Sequence, residues 1–148
     1  MGRRPLLNIV VDTNVIVASL IRKGIVRELL VGHRGVFMTP ESCIDEVWER
    51  RGAWNRRGVP DAEIAEALSW LTENIVAVMP RSVYRDREGE AKALIADPDD
   101  VPVVALALRF DNDGIWTFHT KDFSGAELLA RVRVLTTGEV RWFLEGSR

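Results

Sequence analysis

The chain has 148 residues, 47% apolar and 28% charged, which suits one soluble domain spanning residues 1–148 with a sizeable core. Its net charge is −2 and its sequence pI is 5.7, so no overall basic field recruits nucleic acid; an anionic substrate must be drawn by local basic patches or bound metal. The single cysteine, Cys43, excludes an internal disulfide and a Cys-based zinc site and suits a reducing cytoplasm, and no apolar stretch is long enough to span a bilayer.

The start "MGRRPLL" carries two arginines, but Asp12 and Asn14 interrupt the apolar run that follows, so no signal peptide is expected. Leu6 stands where a myristoylation signal wants Ser or Thr. "NIVV" (8–11) reads as a compact strand, followed by helical turns over 14–22 and 25–31 that Gly24 divides. "GVFMT" (35–39) is a second strand. Pro40 then opens a helix to about Arg51, with Cys43, Ile44, Val47 and Trp48 on its buried stripe. "RRGAWNRRGVP" (50–60) reads as a loop, after which Asp61 caps a helix built on Ile64, Ala67, Leu68 and Leu71.

"IVAVM" (75–79) is a third strand and 88–96 a short helix. "DPDD" (97–100) leads into the helix "VPVVALALRF", where Pro102 sits in the tolerated first turn. "DNDG" (111–114) is a turn, "IWTF" (115–118) a fourth strand and 124–130 a helix. "RVRVL" (131–135) is a candidate fifth strand, and a last helix carries Trp142 and Phe143. Strands alternating with helices predict a parallel sheet covered on both faces, whose ligands bind at the carboxyl ends of the strands.

That expectation makes the acids informative. Asp12 ends the first strand, Glu46 lies in the second turn of the helix after the second, Asp99 and Asp100 open a helix, and Asp122 follows the fourth strand. All can gather at one sheet edge. Two carboxylates ~4 Å apart repel by roughly 4 kcal/mol at an effective dielectric of 20, so several converge stably only by sharing protons or surrounding a cation. Carboxylates without His or Cys partners favour hard ions, Mg²⁺ or Mn²⁺, which polarise phosphoryl groups and generate a hydroxide nucleophile near neutral pH. Each acid also has a plainer reading: Asp12 and Asp100 as helix caps, Glu46 as a solvated helical acid, Asp122 as a turn residue before Phe123.

"VVDTNV", "IDEV", "DPDDVPVVALAL" and "IWTFHTKDF" resemble, in order and spacing, the successive motifs of a PIN domain, from about residue 8 to 135. The resemblance implies a three-layer α/β/α sandwich with a central parallel sheet of four to five strands. It also implies a Mg²⁺- or Mn²⁺-dependent ribonuclease, a homodimer and, as in many such proteins, the toxin of a pair with a partner antitoxin. Carried over by position, Asp12, Glu46 and Asp100 match the metal-site acids, and Thr13 and Asn14 the polar residues beside the first Asp. The fourth motif departs from the commoner Thr-x-Asp. Thr117 is followed by Phe118 and His119, so His119 occupies the acid's position while Asp122 stands just before Phe123. Either His119 or Asp122 can fill the fourth place.

"WERRGAWNRRG" (48–58) interleaves Arg50, Arg51, Arg56 and Arg57 with Trp48 and Trp54, a pattern that can hold phosphates and stack bases of a single strand. The plainer reading has Arg50 and Arg51 decorate a helix end, and at least one of Arg51, Arg56 and Arg57 is expected to hold RNA phosphates. Trp48 is assigned to the core, and Trp54 is either core or a stacking residue. Lys121 neutralises a scissile phosphate or pairs with a site acid. Trp70, Trp142 and Phe143 are expected in the core or at subunit contacts.

The leading expectation is metal-assisted hydrolysis of single-stranded RNA with Asp12, Glu46, Asp100 and Asp122 as ligands. Its rival is a catalytically impaired PIN-like module that binds RNA or protein. Phosphotransfer folds with an acid after the first strand fall behind. A haloacid-dehalogenase-type phosphatase wants Asp where Asn14 stands, and a receiver domain wants an Asp ending strand three that "IVAVMPRS" lacks.

Overall fold

A computed structural model describes residues 8–146; the expectations for "MGRRPLL" (1–7) lie outside the described residues. The strands are β1 (Ile9–Val11), β2 (Phe37–Pro40), β3 (Val76–Met79), β4 (Gly114–Trp116) and β5 (Val134–Leu135). They form one sheet in the order β3-β2-β1-β4-β5, parallel at every pairing. Val10 stands beside Met38 on one side and Ile115 on the other. Ile9, Val10 and Val11 are each fully buried, which is why β1 is an unbroken apolar run rather than an alternating one.

The helices are α1 (Thr13–Ile21), α2 (Ile25–Gly32), α3 (Glu41–Glu49), α4 (Gly52–Arg56), α5 (Asp61–Asn74), α6 (Arg81–Tyr84), α7 (Glu88–Leu94), α8 (Val101–Arg109), α9 (Ala126–Leu129) and α10 (Thr137–Glu145). They divide into two layers. In one, α1 packs on α2 and α3, α3 on α5, and α10 on α2; in the other, α8 lies across β1, β2 and β4 with α6 and α7 against it. The three-layer α/β/α sandwich with a parallel sheet is therefore the observed fold. α8 is apolar nearly all round, with Val103, Val104, Ala105 and Leu106 fully buried.

The chain order positions the site. From β1 the chain steps to β2 and β3, then crosses back to β4 on the other side of β1 and on to β5. Right-handed crossovers in opposite directions place their helices on opposite faces. A crevice must open between the layers where the direction reverses, outside the carboxyl ends of β1 and β4.

Several local expectations are corrected. Residues 50–60 are not all loop: α4 forms because Trp54, only 7% exposed, drops into the core, and this removes Trp54 as a stacking residue. Pro60, not Asp61, precedes α5; the Asp61 carboxylate instead accepts hydrogen bonds from Arg51 and Asn55. α6 and the 3-10 turn Arg85–Arg87 lacked a sequence signal. β4 stops at Trp116 because the next free amide, that of Phe118, bonds to the Asn14 side chain instead of a strand. Trp70 and Trp142 are 48% and 56% exposed and so lie outside the core, whereas Phe143 and Trp48 pack partly against it.

Gly114 is fixed by close approach. Its φ is +145°, and a Cβ built there would stand 2.8 Å from Leu135 Cγ and 2.9 Å from the Arg133 carbonyl oxygen. Only the absent side chain lets β5 reach β4, with Ile115 N–H donating to Arg133 O at 2.8 Å.

Candidate active site

Asp12 is the residue at which β1 becomes α1. Its amide still belongs to the sheet, donating to the Trp116 carbonyl at 3.0 Å, and its extended backbone makes it the N-cap of α1. Oδ1 accepts from the Thr13 amide at 2.8 Å. Oδ2 accepts from Thr117 Oγ1 at 2.8 Å and Asn14 Nδ2 at 3.1 Å. The carboxylate is thus 6% exposed and oriented on both oxygens. Capping and a cleft position coexist in one residue. Behind it, the buried hydroxyl of Thr39 donates to the Val11 carbonyl at 2.8 Å, tying β2 to the end of β1.

Thr117 is the other half of the junction. It is 1% exposed, and besides donating to Asp12 it accepts from Asn14 Nδ2 at 3.3 Å and the His119 amide at 3.1 Å. Thr117→Val keeps the shape and removes the hydroxyl. The expected result is a loss of about 1–3 kcal/mol of stability in urea unfolding, because polar groups around it go unpaired. Thr117→Ser should stay near wild type, and equal stability of all three proteins would remove Thr117 from this role.

Around Asp12 opens a polar cleft of about 170 Å³, lined by Asp12, Thr13, Asn14, Glu46, Arg50, Asp97, Asp99, Asp100, His119 and Asp122. Roomier hollows exist, such as an apolar groove of about 740 Å³ between α1, α2 and α5, but they lie away from the strand ends. Glu46 enters from α3, where its Oε1 accepts from Thr13 Oγ1 at 2.9 Å and its Oε2 pairs with Arg50. Asp100 stands at the start of α8 without making a side-chain cap, so the capping reading does not apply to it. Asp97 makes the cap instead, accepting from the Asp99 amide at 2.9 Å. Asp122 lies in the 3-10 turn Thr120–Phe123, anchored by the buried Phe123 and by its own amide bonding to His119 O at 3.0 Å. Both His119 and Asp122 face the cleft.

The electrostatics record this convergence. Burial, then the charges of Asp12, Asp97, Asp122 and Glu46, push the Asp100 carboxyl up from 3.8 to about 7. The folded chain therefore holds a proton there that the unfolded chain has released. That contribution to stability is full below about pH 4 and is lost as pH rises through 7. In chelator-treated protein, Asp100→Asn should flatten this fall in melting temperature between pH 4 and 8; an unchanged slope would mean that Asp100 is not the group responsible. Cys43, by contrast, is pushed up to about 12 by burial and stays a neutral thiol beside Thr13 and Thr39.

The cleft offers carboxylates, an amide, a hydroxyl and one imidazole, with no thiolate among the lining residues. This donor set fits a hard divalent cation by chemistry. As the side chains stand, no group of three or more His, Cys, Asp or Glu among the described residues is arranged to hold an ion. The acids are instead engaged internally, Asp12 by Thr13, Asn14 and Thr117 and Glu46 by Thr13 and Arg50.

Of the sequence candidates, Asp12, Glu46, Asp100, Asp122, Thr13 and Asn14 all line the cleft, while Arg51, Arg56, Arg57 and Lys121 do not. Arg51 pairs with Asp61, donates to the Trp48 carbonyl at 2.9 Å and lies 4.2 Å from the centre of the Trp48 ring. Arg57 borders a separate hollow beside Trp54 and Leu20. Asp97 is a cleft residue that the sequence did not single out, Thr117 entered only as the start of the fourth motif and Arg50 only among the interleaved arginines; the four-residue spacing of Glu46 and Arg50 was the available signal for their pairing.

Comparison with curated proteins gave no match. A family model described as a PIN domain matches residues 10–141. PIN domains are in general nucleases that act on RNA with divalent metals. Among the described residues no helix is long and apolar enough to cross a membrane. The match runs from the second residue of β1 into α10 and takes in all four candidate acids and the strand ends that carry them: the chain belongs to the PIN-domain family.

Proposed function

We propose that the chain is a metal-dependent endoribonuclease that hydrolyses phosphodiester bonds of single-stranded RNA with Mg²⁺ or Mn²⁺. The observation that carries this reading is the gathering of Asp12, Glu46, Asp100 and Asp122, from four separate parts of the chain, in one cleft at the switch point of a PIN fold. Asp12 and Asp100 are the central ligands in this reading. Glu46 is a third, direct or through water, and Asp122 with His119 offers donors for a second ion. When bound, such an ion supplies polarisation of the phosphoryl oxygens and a lowered pKa of water. Thr117 and Asn14 act behind the ligands, fixing the direction of the Asp12 carboxylate.

The proposal includes a single domain over the whole chain, a cytoplasmic location, a homodimer and a toxin role with a protein antitoxin. The first two rest on the continuous sheet and the free, buried Cys43, the others on family membership. The rival reading, a module that binds RNA or protein without cutting, draws on Arg50 holding Glu46.

The deciding experiment is cleavage of an end-labelled single-stranded RNA by wild type and Asp100→Asn. Cutting should need Mn²⁺ or Mg²⁺, stop with a chelator and be lost in the variant. Metal-independent cutting, or equal cutting by both proteins, would overturn the reading. Binding without cutting would favour the rival.

A further inference from the structure

Among the described residues, Arg50 is the one arginine or lysine lining the acidic cleft. It sits at the C-cap of α3, where its amide donates to the Glu46 carbonyl at 3.1 Å, so its backbone is fixed one turn from Glu46. Its guanidinium bonds to Glu46 Oε2 and is 55% exposed as a side chain, so it covers that carboxylate from the solvent side. The adjacent Arg51 is committed elsewhere, to Asp61 and the Trp48 ring. Arg50 therefore stands against Glu46 in the same hollow as Asp12, Asp97, Asp99, Asp100, His119 and Asp122.

A guanidinium fork fits the paired oxygens of a carboxylate and of a phosphodiester equally well. Glu46 has two suitors, Arg50 and any cation the cleft binds, and the same arm that releases Glu46 can take up a phosphate. We propose that Arg50 is the phosphate-binding residue of the cleft and exchanges Glu46 for a non-bridging oxygen of the RNA backbone when a divalent cation occupies Glu46. The proposal rests on the nuclease reading above and deepens it. Ion and RNA are thereby coupled through one side chain, and coupling of this kind is reciprocal.

The consequence is a pair of effects with opposite signs. Without RNA, Arg50→Ala removes the competitor for Glu46, so Mn²⁺ should bind several-fold tighter by calorimetry. In cleavage of single-stranded RNA at saturating Mn²⁺, the same variant should raise KM about tenfold, with a smaller change in kcat. Arg50→Lys keeps the charge but loses the fork; Mn²⁺ affinity should stay close to wild type while KM rises several-fold. A lysine variant equal to wild type in KM would reduce Arg50 to a general positive charge and overturn the exchange. Unchanged Mn²⁺ affinity in Arg50→Ala would overturn it too, leaving an ordinary surface pair one helical turn apart. If wild-type protein cuts RNA while either variant behaves in this way, the exchange alone fails. If wild type neither binds Mn²⁺ nor cuts, the nuclease reading fails and the exchange falls with it.

Discussion

Asp12→Asn should reduce metal-dependent cutting of RNA by at least about 100-fold, the upper range for losing even a partner of a metal ligand. The substitution is nearly isosteric, and its effect divides between the two oxygens. At Oδ1 an amide oxygen can still accept from the Thr13 amide, so the start of α1 keeps its cap. At Oδ2 an amide nitrogen would face the Asn14 amide group and the Thr117 hydroxyl, both of which donate to it in the native protein. That mismatch costs about 1–3 kcal/mol. Removing a negative charge that raises the Asp100 carboxyl offsets part of it. Activity should therefore fall far more than stability. The check is paired: cleavage of end-labelled RNA with Mn²⁺, and urea unfolding of the same preparations. A stable variant that cuts like wild type would leave Asp12 as a helix cap alone.

The largest effect on stability is expected at Gly114, far from any proposed chemistry. A methyl group there meets the Arg133 carbonyl oxygen at 2.9 Å and the Leu135 side chain at 2.8 Å, and the backbone φ of +145° disfavours any L side chain. Strain of this kind costs about 1–3 kcal/mol and overpacking about as much again, so Gly114→Ala should lose roughly 3 kcal/mol or more in urea unfolding. The overlap cannot relax cheaply, because one of the atoms met is backbone. β5 is only Val134 and Leu135, and the clash pushes it off the sheet edge. Leu135 is also the β5 partner of Trp116, whose indole N–H donates to Thr137 at 3.0 Å, so α10 should loosen with it. A change below about 1 kcal/mol would mean that the sheet edge yields freely, and the close approach would lose its significance.

The sheet was legible because a parallel strand buried on both faces leaves an unmistakable apolar run, as in Ile9–Val11, while the edge strand Val76–Met79 kept its apolar run although only Val76 is buried. That Asp12, Glu46, Asp100 and Asp122 would line one cleft was legible because strand ends converge wherever a parallel sheet reverses its winding. Local capping was less so. Asp12 and Asp100 looked alike as caps, yet the first caps and the second does not, since Asp97 takes that task. The tryptophans stayed open between core and surface because helical spacing says which residues share a face, not whether another layer covers it. Trp54, placed in a supposed loop, is buried, while Trp70 on a regular helix is exposed. The arginines between 50 and 57 share one composition; only the fold reveals that Arg50 looks into the cleft and Arg51 turns back on Trp48.

The bond from Thr117 to Asp12 joins residues 105 positions apart, and that separation governs when the cleft comes into being. A chain emerging from the ribosome presents β1, β2 and β3 first, already in their sheet order, but the other side of β1 stays bare until β4 arrives. Until then Asp12 has neither the Trp116 carbonyl nor the Thr117 hydroxyl to orient it, and Asp122 has not yet been made. Assembly of the cleft thus waits for β4 and the turn that carries Asp122, and a chain terminated before them has no cleft. The order of the strands makes the cleft conditional on the second half of the sheet, so no fragment that ends at β3 can carry it.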